Sequence, residues 1–186
     1  MGRIIIGIGT GRCGTMSFSK MLDSIATNRN GRFLHEGGNP DKISRSLILG
    51  EHLPWNVDKS MFYRRMRELE RCGKNADFVG DTAFYYLPYA DLLLDTYSDI
   101  KIVGLERRRH EVIESFANLL DGVDRWVDNK AEPWNKSFPS YSSHISFKKK
   151  IYRYCVEYND KIRLLEKCYP DKVKLFNIRT IDKSIK

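Results

Sequence analysis

A chain of 186 residues is within the range of one domain and long enough to bury a substantial core without metal or disulfide staples. Hydrophobic residues at 41% and charged residues at 30%, with only 13 Gly and 6 Pro, exclude collagen-like and wholly disordered chains. The formal charge of +8 sits almost entirely in residues 145–186, which hold 12 Lys/Arg against 5 Asp/Glu, so charge alone leaves open a solvated basic face or a polyanion-binding one.

The first predicted element is a strand over 3–9, whose Ile4 to Ile6 run is apolar on both faces, as expected when crossover helices cover a parallel sheet. Gly9-Thr-Gly-Arg-Cys-Gly-Thr-Met-Ser17 follows and leads into a helix predicted over 15–27. Glycines in such a turn let backbone N–H groups approach an anion, and the helix behind them adds unpaired donors and the positive end of its dipole. A glycine-rich connection without a ligand is the plain alternative. The nucleotide-hydrolase pattern GxxxxGK[ST] would need Lys and Ser/Thr where Thr15 and Met16 stand, which disfavours Mg-ATP chemistry. The cationic role then passes to Arg12, while Thr15 and Ser17 keep hydroxyl donors. Gly9-x-Gly11-x-x-Gly14 also fits the dinucleotide fingerprint, for which Glu36 is the one candidate acid.

Next come a short strand at 33–36 (Phe-Leu-His-Glu), a helix at 58–72, a strand at 77–81 ending in Asp81, and a helix at 87–97. Asp81 is expected either to orient a bound substrate or a loop, or to cap the helix that begins near Tyr86. The strand at 100–106 ends in Glu106-Arg-Arg-Arg-His-Glu111, and a helix at 108–121 carries Ser115 eight residues after Arg107. Such an arginine and serine can converge on one phosphate at the carboxyl edge of a parallel sheet, or the arginines can form surface ion pairs with Glu106, Glu111 and Glu114. Residues 126–144 lack periodicity and are rich in aromatics. They form a candidate substrate cover in which Trp126 and Trp134 would do the binding. A helix at 145–168 and a strand at 172–178 complete an α/β three-layer sandwich with a central, mainly parallel sheet of about five strands.

No stretch reaches the roughly 18 to 20 apolar residues of a membrane span, so a soluble, cytoplasmic protein with no membrane partner is expected. Cys13, Cys72, Cys155 and Cys168 show no CxxC pair or metal-ligand spacing, which predicts free thiols and no metal site, with a Cys155–Cys168 bridge as the alternative.

The loop Thr10-Gly-Arg-Cys-Gly-Thr15 resembles the 5'-phosphosulfate-binding loop of sulfotransferases that use 3'-phosphoadenosine 5'-phosphosulfate (PAPS). Arg107 and Ser115 stand in the spacing of that family's 3'-phosphate-binding motif, and the resemblance runs from residue 4 to about 120. It implies a P-loop-like nucleotide hydrolase fold in one domain over 1–186, a PAPS donor, and no metal. Gly11, Arg12, Cys13, Gly14, Thr15, Met16 and Ser17 would bind the 5' end, and Arg107 and Ser115 the 3'-phosphate. Met16 replaces a common second Thr, and Arg109 stands where a Pro often follows. Members usually continue beyond the last strand, so either a compact version or one lacking a C-terminal segment is expected here.

The resemblance also implies a base at the end of the second strand, where Glu36 matches and His35 competes. Imidazole has the better-matched unperturbed pKa, about 6.5 against about 4.3 for a glutamic acid side chain. Alternating side chains would let only one of the two reach the site if the strand stays regular. A structural role beside Gly37-Gly38 is the third option for either residue. The expected acceptor is a small molecule, carbohydrate or other compound bearing a hydroxyl or amine. Two rivals stay open: an atypical P-loop kinase, and a nucleic-acid or polyanion binder using Lys148, Lys149, Lys150 and Arg153.

Overall fold

The computed structural model describes residues 3–28, 30–39, 48–120, 123–126 and 135–179. Five strands, β1 (Arg3–Gly9), β2 (Arg32–His35), β3 (Phe78–Thr82), β4 (Lys101–Glu106) and β5 (Val173–Asn177), form one sheet in the order β2-β3-β1-β4-β5. Every pairing is parallel. Five helices connect them: α1 (Thr15–Thr27), α2 (Lys59–Cys72), α3 (Ala90–Thr96), α4 (Arg109–Leu120) and α5 (Phe147–Cys168). The three-layer α/β architecture read from the sequence is the one observed.

Alternation along the strands divides the core between the two faces of the sheet. Ile4, Ile6, Ile8, Leu34, Val79 and Ile102 point to the face covered by α2, α3, α4 and α5. Phe33 and Leu105, with Ile5 and Val103, point to the other, where Phe18, Met21 and Leu22 of α1 cover them. Each apolar side chain buried in this way contributes roughly 1.5–3 kcal/mol.

The predicted helix at 87–97 differs from the structure. A 3₁₀ segment, Phe84–Tyr89, comes first, and α3 begins only at Ala90. Pro88 has no N–H to donate and disfavours the α conformation at Leu87, so the α-helix starts after it. Asp81 does not cap this segment, whose N-cap is Ala83 without a side-chain bond. All four cysteines are free. No helix among the described residues is long and apolar enough to cross a membrane.

Strand order positions the site. β1 and β4 are neighbours, with Gly9 opposite Leu105 at their carboxyl ends. From β1 the chain leaves toward β2, and from β4 toward β5, so the two loops diverge and open a crevice between them.

Candidate active site

The turn after β1 has an unusual backbone. Gly11, Arg12 and Gly14 take φ of 76°, 53° and 85°, in the left-handed region. Glycine enters it freely, but Arg12 does so at a cost of about 1–2 kcal/mol, the kind of strain that persists where surrounding structure enforces it. The N–H groups from Gly11 to Ser17 have no backbone acceptor among the described residues. The first turn of α1 contains no acidic residue that would neutralise the helix N-terminus. The result is a concave set of donors at the positive end of a helix dipole, a geometry suited to an anion.

Two buried tyrosines on α5 hold the start of this turn. Tyr158 Oη accepts from the Gly9 N–H at 3.1 Å and donates to the Phe84 carbonyl at 2.7 Å. Tyr154 Oη donates to the Thr10 carbonyl at 3.0 Å. Burial pushes both phenols well above their ordinary pKa, so they act as neutral hydrogen-bonding groups. In the sequence these residues read only as core positions of an amphipathic helix.

The arginine after β4 reaches the same turn. Arg107 Nη1 donates to the Arg12 carbonyl at 3.0 Å, and its Nε pairs with Glu111 at 2.8 Å. Those two bonds fix its guanidinium beside the loop. Arg107 in turn holds the Glu111 carboxylate below its usual pKa, with help from Arg179. Arg12 Nε donates to Ser115 Oγ at 2.9 Å, so both halves of the predicted pair converge.

On the opposite side, β2 ends at His35 in a tight turn. His35 and Gly38 exchange both backbone hydrogen bonds, at 2.9 and 3.0 Å, and Glu36 and Gly37 have φ of 52° and 80°. Positive φ at both central positions is the mark of a type I' turn. The expectation that only one of His35 and Glu36 reaches the site therefore fails. The strand stops at His35, Glu36 leaves it in a left-handed conformation, and both side chains line the cavity. His35 Nε2 lies 3.2 Å from Thr15 Oγ1.

The turn rests on a buried ion pair. Asp81 Oδ1 accepts from the Gly37 N–H at 3.0 Å, while its Oδ2 pairs with Arg65 Nη2 at 3.0 Å and accepts from the Tyr86 hydroxyl at 2.6 Å. Arg65 also donates to the Glu51 carbonyl at 3.1 Å. A Cβ at Gly37 would meet Arg65 Nη2 at 2.5 Å, so the backbone needs glycine there to approach the guanidinium. Of the roles expected for Asp81, loop orientation is the one its contacts support. Arg65 carried no signal, because a buried arginine in an amphipathic helix looks like a surface one.

A cavity of about 640 Å³ unites these parts. Gly11, Arg12, Gly14, Thr15, Met16, Ser17, His35, Glu36, Arg107 and Ser115 line it, together with Phe84, Phe116, Leu119, Arg125 and Phe138. Of the residues expected to hold the nucleotide or act as base, Cys13 alone lies outside this lining. Its side chain is fully buried in the core below α1, packed over Gly9, and burial pushes its thiol up to about 11. A second concavity of about 670 Å³ lies at the amino edge of the sheet, beside Arg3, Asp77 and Asp99, and contains none of the predicted residues.

Arg125, Phe138 and Phe84 are lining residues that sequence reasoning missed. Arg125 precedes and Phe138 lies within the aperiodic stretch 126–144, which gives no directional signal. Trp126, expected to bind substrate, is fully buried and packs against Phe116, Phe138 and Tyr154 as core. Trp134 and the rest of 127–134 lie outside the described residues. The polyanion-binding surface is also reduced. Lys150 is buried and pairs with Asp124 at 2.6 Å, and Arg153 is taken up by Glu157 and stacks over Tyr141.

Among curated proteins no match is found. A family model described as a sulfotransferase domain matches residues 4–176, a span that includes every strand but the first residue of β1 and the last of β5, and all of the cavity's lining. With that match laid over a five-stranded parallel sheet of P-loop-like order, the chain belongs to the sulfotransferase domain family.

Proposed function

We propose that the protein is a PAPS-dependent sulfotransferase that transfers a sulfuryl group in line to a hydroxyl or amine acceptor, with Glu36 as base. The observation that carries the reading is the convergence of Arg12, Arg107 and Ser115 on one cavity that also opens on the donor turn. PAPS supplies a sulfuryl group activated on its 5'-phosphate and a 3'-phosphate by which it is held.

The residues present fit that donor. The N–H groups of Gly11 to Ser17 and the α1 N-terminus receive the 5' anionic end, with Cys13 contributing backbone alone. Arg12 offsets charge that develops there as the leaving phosphate departs. Arg107, fixed by the Arg12 carbonyl and Glu111, receives the 3'-phosphate with the Ser115 hydroxyl. These groups supply the positive charge that such a transfer needs, and the reading requires no metal.

Glu36 is the better-supported base. The strained turn that presents it is fastened from below by Asp81, which is the arrangement expected where a carboxylate must be aimed. It would take the proton from the acceptor hydroxyl as the oxygen attacks. His35, next to Thr15, would help to orient the donor turn. The free thiols favour a cytoplasmic protein, and the acceptor is a small molecule, carbohydrate or other hydroxyl-bearing compound. A thermal-shift comparison tests the reading. Adenosine 3',5'-bisphosphate should raise the Tm, whereas stabilisation by Mg-ATP alone would favour the kinase.

A further inference from the structure

Resting on the donor reading above, the third cation of the cavity has no task in holding the nucleotide. Arg125 lines the cavity half-buried, and its Nη1 donates to the Asn135 side-chain oxygen at 3.2 Å. No carboxylate lies within ion-pair distance of it among the described residues. Arg107, Arg65 and Lys150, by contrast, each face an acid. A neutral amide orients the guanidinium but, among the described residues, leaves its charge uncompensated and part of its fork open, which is how a protein receives an anion from outside.

Its position assigns that anion to the acceptor. Asn135 opens the short 3₁₀ turn Asn135–Ser137, and the next residue, Phe138, stacks on Phe84 with ring centroids 4.5 Å apart. Phe84 follows β3, the strand between β1 and β2, so this wall, which also packs on Phe116 of α4, extends to the side of the crevice that ends in Glu36. Arg107 and Ser115 belong to β4 and α4, on the other side of β1. Phe84 and Phe138 give the space between Arg125 and Glu36 an apolar lining.

We propose that the natural acceptor is a hydroxy acid: a carboxylate held by Arg125, an apolar body against Phe84 and Phe138, and the reacting hydroxyl toward Glu36. The distinction is measured by binding, without donor, of 4-hydroxyphenylacetate and its neutral counterpart 4-ethylphenol. The native protein should bind the acid about ten-fold more tightly or better, as one charge-assisted contact allows. Arg125→Met should abolish the preference and Arg125→Lys keep part of it, with adenosine 3',5'-bisphosphate affinity within about two-fold of native in both. Equal affinities, or binding of neither probe by the native protein, would overturn the inference. So would a loss of bisphosphate affinity of about ten-fold in Arg125→Met, which would assign the residue to the donor. Acid preference in a native protein that does not bind the bisphosphate would support the carboxylate site and count against the donor reading alone.

Discussion

Arg12 Nε donates to Ser115 Oγ at 2.9 Å, joining the turn after β1 to the helix after β4 across 103 positions of sequence. The bond exists because β1 and β4 are adjacent and parallel, so their carboxyl ends deliver both side chains to one crevice. A ligand phosphate at Ser115 would take over the bond that Arg12 makes there. Ser115→Ala should therefore change stability by less than about 0.5 kcal/mol, because the bond is exposed, yet weaken adenosine 3',5'-bisphosphate binding about three- to ten-fold. Urea denaturation and calorimetry on the same samples separate the two effects.

Glu36→Gln keeps the shape of the side chain and removes its capacity to take a proton. It should lower kcat by about 10²–10⁴-fold and leave bisphosphate affinity unchanged. If Glu36→Gln keeps its rate and His35→Asn loses it, the base is His35.

Asp81→Asn tests the foundation of that turn. It leaves the Arg65 guanidinium buried without its carboxylate, which should cost about 3–5 kcal/mol. Denaturant unfolding gives the value, and a cost below about 1 kcal/mol would mean that Tyr85, Tyr86 and the backbone carbonyls suffice to hold Arg65.

Tyr158→Phe removes one oxygen and with it the buried hydrogen bonds to the Gly9 N–H and the Phe84 carbonyl. The expected loss is about 1–3 kcal/mol of stability, with a raised KM for the donor because the turn loses its anchor. An unchanged donor KM would show that Tyr154 holds the turn alone.

Thiol reactivity should follow burial. Burial pushes Cys13 up to about 11 and Cys155 up to about 12, while Cys168 is exposed. At pH 8 a maleimide should label Cys168 in the native protein and spare Cys13 and Cys155, as mass spectrometry of peptides would show. The same shifts carry a sign for alkaline stability. The unfolded chain releases these protons first, near its unperturbed thiol value of 9.0, so stability should fall as pH rises above about 9.

Much of the fold was legible because strong local signals agreed with one another. The runs at Ile4–Ile6 and Ile100–Val103 read as strands covered on both faces, and α1 falls where its periodicity put it, over 15–27. The placement of the β1 turn and Arg107 on one cavity was legible for a related reason: turn glycines and arginines at strand ends carry their position in sequence order. The opposite wall was not. Arg125 precedes and Phe138 lies within an aperiodic stretch, and what orients them is Asn135 and Phe84, contacts made by tertiary packing. Trp126 misled because an aromatic residue in a polar stretch reads as a stacking surface, whereas Phe116, Phe138 and Tyr154 enclose it. The pairing of His35 with Glu36 also escaped, because alternation holds only while a strand lasts, and β2 ends between them.

Calorimetric titration of adenosine 3',5'-bisphosphate and adenosine 5'-phosphate into native protein and Arg107→Ala tests the central claim most directly. If the turn after β1 and Arg107 hold opposite ends of one nucleotide, the native protein binds the bisphosphate at least about ten-fold more tightly, and Arg107→Ala erases that advantage while keeping its affinity for the monophosphate. No binding of the bisphosphate by the folded native protein, or an equal loss of both ligands in Arg107→Ala, would contradict it.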